Sequence, residues 1–235
     1  MKTRFSSILA ITLINTYFAL NTCGTLCAQT VSIGNQEWMV KNLDGASFRN
    51  GEPIPEAKSN KEWKAAGRKK RPAWCWYAND SANGAIYGRL YNWYAVADPK
   101  GLCPAGWHVP TDHDWNLLSK ILDPASDTLC RQCFKSEISG FKMKSLGTIE
   151  AGTGLWHDFR CKNVDANNES GFTGFPGGGR EVDFDKMLGY YGYWWSCTES
   201  SESNAWFRFL DLGSGSLSRN FSEKRHGSSV RCLKD

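Results

Sequence analysis

Residues 123–180 constrain the fold more than any other stretch of this chain. They carry few apolar runs and are rich in glycine, at Gly152, Gly154, Gly171, Gly174 and the triplet Gly177-Gly178-Gly179. A segment without helical or strand periodicity has no face of its own to bury. Long irregular stretches in compact domains are usually functional or pinned covalently. Cys130, Cys133 and Cys161 lie within this one as candidates for the pinning. The sequence on either side is regular, so the fold must hold an irregular middle between structured ends.

On the N-terminal side, residues 31–40 read as an opening strand with a turn at Gly34-Asn35. Ser59-x-x-Glu62 is a capping box, which predicts a short helix through Ala66 stopped by Gly67. Residues 73–78 are strand-like, and Asn83-Gly84 is a turn signal. Leu90, Trp93, Tyr94 and Ala97 fall at helical spacing within residues 86–97. Thr111-x-x-Asp114 opens a helix with Trp115, Leu118, Ile121 and Leu122 on one face, ended by Asp123-Pro124. On the C-terminal side, four strand-length runs at 192–196, 205–210, 217–221 and 229–233 predict a β meander. Trp206, Arg208 and Leu210 share one face of the second run, and Ala205, Phe207 and Phe209 the other. Apolar residues on both faces predict a central strand. Aromatics make up 13% of the chain, which excludes a disordered polymer. No linker or repeat divides residues 29–235, so they are read as one domain.

Residues 1–28 read as a signal peptide. Lys2 and Arg4 form the positive start, residues 8–20 the short apolar core, and Ala28 the small residue before cleavage. The apolar core is too short for a membrane span. Cys23 and Cys27 also follow it, but Thr22 and Leu26 precede them where lipoprotein signals want Gly, Ala or Ser; soluble export is therefore favoured over a lipid anchor. Cleavage removes Lys2, Arg4 and no acid, so the net charge falls from +4 to +2. That is no footprint for a nucleic-acid partner; the one basic cluster, Arg68-Lys69-Lys70-Arg71, reads as a solvated loop after a helix. Seven cysteines remain: Cys75, Cys103, Cys130, Cys133, Cys161, Cys197 and Cys232. In an oxidising compartment they are disulfide candidates, with one left over if the other six pair. Cys130-Arg-Gln-Cys133 has half-zinc-site spacing, but no second ligand pair follows.

An ordered set of motifs spans about residues 31–235: Ile33-Gly-Asn-Gln-x-Trp38-Met, Asn42-Leu, Cys75-x-Tyr77, Tyr87-Gly-x-Leu-Tyr-Asn-Trp93, Cys103-Pro-x-Gly-Trp107-His-Val-Pro-Thr111, Ser170-Gly-Phe172, Pro176-Gly-Gly, Gly192-Tyr-Trp-Trp-Ser196, Ala205-Trp206 and Ser229-Val-Arg-Cys232. This pattern resembles the Fibrobacter succinogenes major paralogous domain family of exported and surface proteins, grouped with C-type-lectin-like and formylglycine-generating-enzyme-like folds. The resemblance implies an α+β, C-type-lectin-like domain: two short helices on a small twisted antiparallel sheet, with long irregular Gly-rich loops and disulfides. By analogy with such domains, the implied first pair is Cys103–Cys232, then Cys161 with Cys130 or Cys133. The chain departs from the family pattern at Cys197, for which a Cys75–Cys197 pair is considered.

The chemistry-bearing patterns are sparse. None of His108, His113, His157 and His226 forms HExxH, and no GxSxG elbow or P-loop exists. A cysteine nucleophile would require a base that lowers its pKa. No catalytic residue and no cofactor is assigned. The sugar-binding Glu-Pro-Asn and Trp-Asn-Asp elements of calcium lectins are absent. Asp165-x-Asn167-x-Glu169 alternates oxygen ligands and is compatible with a structural calcium ion, although a polar turn before Ser170 accounts for it as well. Six tryptophans lie inside the family motifs (Trp38, Trp93, Trp107, Trp194, Trp195 and Trp206) and read as core. Trp156, in the Gly-rich region, is the candidate exposed contact, and Arg180 the candidate anion contact at the Gly177–Gly179 loop. The resulting expectation is a secreted or cell-surface, non-catalytic binding or adhesion module, with a glycan or an envelope protein as partner. The alternatives are a structural domain of a surface assembly and a cysteine-dependent oxidase-like enzyme. Oligomeric state is not assigned.

Overall fold

The structure is a computed structural model that describes residues 29–128, 136, 138–158, 166–181 and 187–235. Cys130, Cys133, Cys161 and Asp165 lie outside the described residues, as do residues 1–28.

The elements follow in order: β1 (Thr30–Ile33), β2 (Gln36–Met39), α1 (Asn60–Arg68), β3 (Trp74–Cys75), a 3-10 turn (Tyr77–Asn79), α2 (Ser81–Tyr87), β4 (Leu90–Asn92), α3 (Trp93–Val96), β5 (Trp107–His108), α4 (Asp112–Leu122), α5 (Ser139–Met143), β6 (Tyr191–Glu199), β7 (Asn204–Asp211), β8 (Ser218–Glu223), β9 (Gly227–Ser228) and β10 (Leu233–Lys234). The architecture is α+β, with three small antiparallel sheets. Their strand orders are β1-β2-β10-β5, β3-β4-β9 and β6-β7-β8.

Local chemistry explains the elements that the sequence announces. Gly34 takes a φ of +62°, which suits the two-residue turn between β1 and β2. Helix α4 begins in a full capping box: the Asp114 amide donates to the Thr111 hydroxyl (3.1 Å), and the Thr111 amide donates to the Asp114 carboxylate (2.8 Å). Ser59 accepts from the Glu62 amide to cap α1, but the Glu62 carboxylate reaches the Lys58 amide instead of the cap residue.

Several expectations are corrected. Five α-helices are described, where two were implied. Asn83-Gly84 is not a turn; it lies inside α2, which Asp80 caps through the Ala82 amide. Residues 86–97 do not form one helix. Gly88 breaks it with a φ of +74°, where a Cβ would meet the Leu43 carbonyl at 2.9 Å. The Asn92 side chain then starts α3 by accepting from the Ala95 amide. Gly67 does not stop α1, which runs on to Arg68. Only Trp74–Cys75 of the 73–78 run is strand. Ile121 is 38% exposed, whereas Trp115, Leu118 and Leu122 are buried.

The meander also loses its last member. β7 is the central strand of a three-stranded sheet, as its two apolar faces suggested. The fourth run keeps only a bridge to β6 at Ser229, and β10 inserts between β2 and β5. The Cys103–Cys232 disulfide fastens this closure across 129 residues. Cys75 and Cys197 are free thiols, so the Cys75–Cys197 pair is not formed.

Three aromatic cores fill the domain. One gathers Trp38, Trp115, Trp156, Phe172 and Trp194; another centres on Trp195, Trp93 and Tyr91; a third holds Trp63, Cys75 and Tyr77. Arg231 lies beneath the first, fully buried, and donates to the carbonyls of Met39, Val40 and Phe172 and to Asn42 Oδ1. Asn42 Oδ1 also accepts from Trp194 Nε1 (2.8 Å). One guanidinium thus ties the first hairpin, the irregular middle and the last strand together. Burial pushes its pKa down to about 9. No helix among the described residues is long and apolar enough to cross a membrane.

Candidate binding cleft

The two residues expected to touch a ligand are buried. Trp156 is 0% exposed, and its Nε1 donates to the Gly174 carbonyl (3.2 Å). Arg180 is also 0% exposed. Its guanidinium donates to Ala57 O, Asn79 Oδ1 and Asn60 Oδ1, and lies 4.9 Å from the Trp63 ring centroid. It is a brace between the Gly-rich loop and the start of α1.

The cation ligands expected at 165–169 serve a turn where they are described. Asn167 Oδ1 accepts from the Glu169 amide, and Glu169 pairs with Lys142 at 3.6 Å. No group of three or more His, Cys, Asp or Glu side chains that could hold a metal occurs among the described residues.

What Arg180 braces is the candidate site. Its backbone exchanges two hydrogen bonds with Gly227 (3.0 and 2.6 Å), bringing Glu181 beside the turn between β8 and β9. That turn, Glu223 to His226, is closed by the His226 amide donating to the Glu223 carbonyl (2.8 Å). The last turn of α1 packs against it so closely that a Cβ on Gly67 would sit 2.8 Å from Arg225 Cβ.

Three hollows meet at Arg225. A cleft of about 380 Å³ runs between Gly67, Arg68 and Lys70 on one side and Tyr94, Glu202, Ser203 and the turn on the other. A pocket of about 120 Å³ lies against Trp63, Lys64 and Glu181, and a smaller one of about 90 Å³ reaches His226.

The electrostatics of this region are uneven. Arg225 pairs with Glu223, and Lys224 with Glu199 (2.7 Å). Arg68 and Lys70 carry no ion pair among the described residues. Burial lifts the Tyr94 phenol above its usual range, against the pull of Arg225. Lys70 adopts a φ of +50°, a left-handed conformation that favours glycine.

Two buried groups at the hollows lack partners among the described residues: Trp63 Nε1, and both ring nitrogens of His226. The rings of Tyr193 and Trp195 stand edge-on to His226, and Phe207 lies nearly parallel to it. Desolvation in this aromatic wall drives the His226 pKa down to about 4, so the ring is neutral.

The same wall continues along the sheet. Tyr191 and Tyr193 on β6 are parallel to within 3° at 5.6 Å, with Phe209 of β7 alongside, all half-buried. Sequence reasoning missed this row, although Ala205, Phe207 and Phe209 were placed on one face. The signal was the second apolar face of β7, which read as core. The motif tryptophans also divide: Trp38, Trp93, Trp194 and Trp195 are buried, while Trp107 and Trp206 are half-buried.

The free thiols are poor nucleophiles. Burial pushes Cys75 up to about 11. Burial and the Asp114 charge both raise Cys197.

Residues 31–234 match the Fibrobacter succinogenes major domain, and the chain belongs to that family. No curated protein and no solved structure is matched by this chain.

Proposed function

We propose that this protein is an exported, non-catalytic binding module that holds a glycan in the cleft around Arg225. The observation that carries the reading is the convergence of three hollows on one turn, with Tyr193 of the half-buried aromatic row against its His226. Sugar rings combine an apolar face with a rim of hydroxyls. An aromatic wall beside unpartnered hydrogen-bonding groups complements both.

Export is supported by the leader-like residues 1–28 and by the long-range Cys103–Cys232 disulfide, which suits an oxidising space. The C-type-lectin-like assignment belongs to the same reading. It draws on the disulfide that ties the chain near β5 to β10, and on the irregular segments held against the sheets. The raised Cys197 thiol favours binding over cysteine chemistry.

The test is a glycan array probed with the full chain recovered from a bacterial periplasm. Retention competed by the same soluble glycan supports the reading, and silence across the array overturns it. N-terminal sequencing of the exported product tests the leader. A start at Gln29 is expected, whereas a lipid-modified Cys23 or Cys27 would replace soluble export with anchoring.

A further inference from the structure

The basic run at 68–71 reads from sequence as a solvated loop, and all four residues are exposed, with Arg68 and Lys70 at the rim of a cleft. Arg68 and Lys70 line the wide cleft opposite Tyr94, with no carboxylate partner among the described residues. Lys224 and Arg225, the other cations of that cleft, are each held by a glutamate. The cleft therefore has two uncommitted positive charges at one rim.

Lys70 makes the point more sharply. A lysine at φ +50° is strained where glycine would not be, so helix termination alone does not account for its side chain. Beside the cleft, Trp63 and His226 are more than nine-tenths buried, and their ring nitrogens have no partner among the described residues. Trp63 Nε1 is a donor, and neutral imidazole supplies one donor and one acceptor. Together these are the complement of hydroxyls next to an anion.

We infer that the cleft takes an acidic saccharide, its carboxylate or sulfate meeting Arg68 and Lys70 and its hydroxyls facing Trp63 and His226. This rests on the glycan-binding reading and narrows its substrate class. An acidic saccharide fits better than a nucleic acid, because Trp63 Nε1 and the His226 ring nitrogens, without partners among the described residues, suit saccharide hydroxyls.

Affinity electrophoresis of the full chain through gels containing polygalacturonate, dextran sulfate, unmodified dextran or polyuridylate tests it. The variants are Arg68→Ala/Lys70→Ala, Lys70→Gly, and a charge-matched control, Lys41→Ala/Lys120→Ala. The expected result is retardation by polygalacturonate, dextran sulfate or both, but not by dextran. It should weaken about tenfold or more in the double variant and be preserved in the control. Which polymer binds tells carboxylate from sulfate. Lys70→Gly is expected to weaken retardation while leaving the fold intact, which separates the side chain from any folding damage.

Retardation by dextran that ignores the double variant overturns this inference and leaves the glycan reading standing. Equal losses in control and double variant, or acidic binding that survives the double variant, overturn it as well. Equal retardation by polyuridylate shows a general polyanion cleft and overturns the saccharide. Silence in every gel overturns it too, and the glycan array then decides the broader reading separately.

Discussion

Two arginine-centred regions of this domain, one around buried Arg231 and one around exposed Arg225, are built from the same materials and behave differently. Around Arg231 the guanidinium donates to four carbonyls and to Asn42, which also accepts from Trp194. Around Arg225, fed by the Arg180 brace, Trp63 and His226 have nitrogens without partners among the described residues, and two cations face a cleft. Aromatic rings pack both. A satisfied buried network fixes structure, whereas a buried polar group left unmatched costs stability and marks a place where a ligand can supply the match.

The largest effect should come from breaking the satisfied region. Arg231→Met removes the donor to several buried acceptors, and a loss of roughly 5 kcal/mol or failure to fold is expected by urea denaturation. A stable, cooperatively folding variant would show that the hub is dispensable. Next comes Cys103→Ser/Cys232→Ser. Closing a 129-residue separation restricts the unfolded chain, so a loss of about 4 kcal/mol is expected, read as a lowered midpoint matched by the wild type under reductant.

His226 sharpens the comparison from the other side. Its folded pKa, near 4, lies below the ordinary value of 6.5. The unfolded chain therefore binds a proton between those values that the native state refuses. This contribution is fully present above pH 6.5 and is lost as pH falls towards 4, by roughly 3 kcal/mol. His226→Phe should flatten that part of the stability profile, and an unchanged slope would place the titration elsewhere. The smallest effect belongs to the cleft rim. Lys70→Gly should raise stability by up to about 1 kcal/mol, because glycine is unstrained at φ +50°. A loss there would mean that Lys70 holds the structure.

How much was legible depended on whether a signal was local. The Gly34-Asn35 hairpin and the α4 capping box were readable because a few adjacent residues satisfy each other. The 86–97 stripe misled because helical spacing says nothing about the left-handed backbone that Gly88 supplies midway. Trp156 misled for a related reason. Glycine-rich surroundings suggested exposure, but the ring packs in the first core with its Nε1 donating to the Gly174 carbonyl. The cleft was hardly visible, since Trp63 and Arg68 of α1, Tyr94, Glu202 and Arg225 come from stretches far apart in the chain.

By itself the sequence determined the family pattern, the α+β class, the opening hairpin, the capped helix α4 and the central place of β7, because periodicity and capping act within a few residues. Only the tertiary structure decided which aromatics are core and which form the row along the sheet. It also placed β10 between β2 and β5, and brought a basic helix end and a buried histidine to one turn. Those outcomes depend on contacts between residues tens to more than a hundred positions apart, and no local preference encodes them.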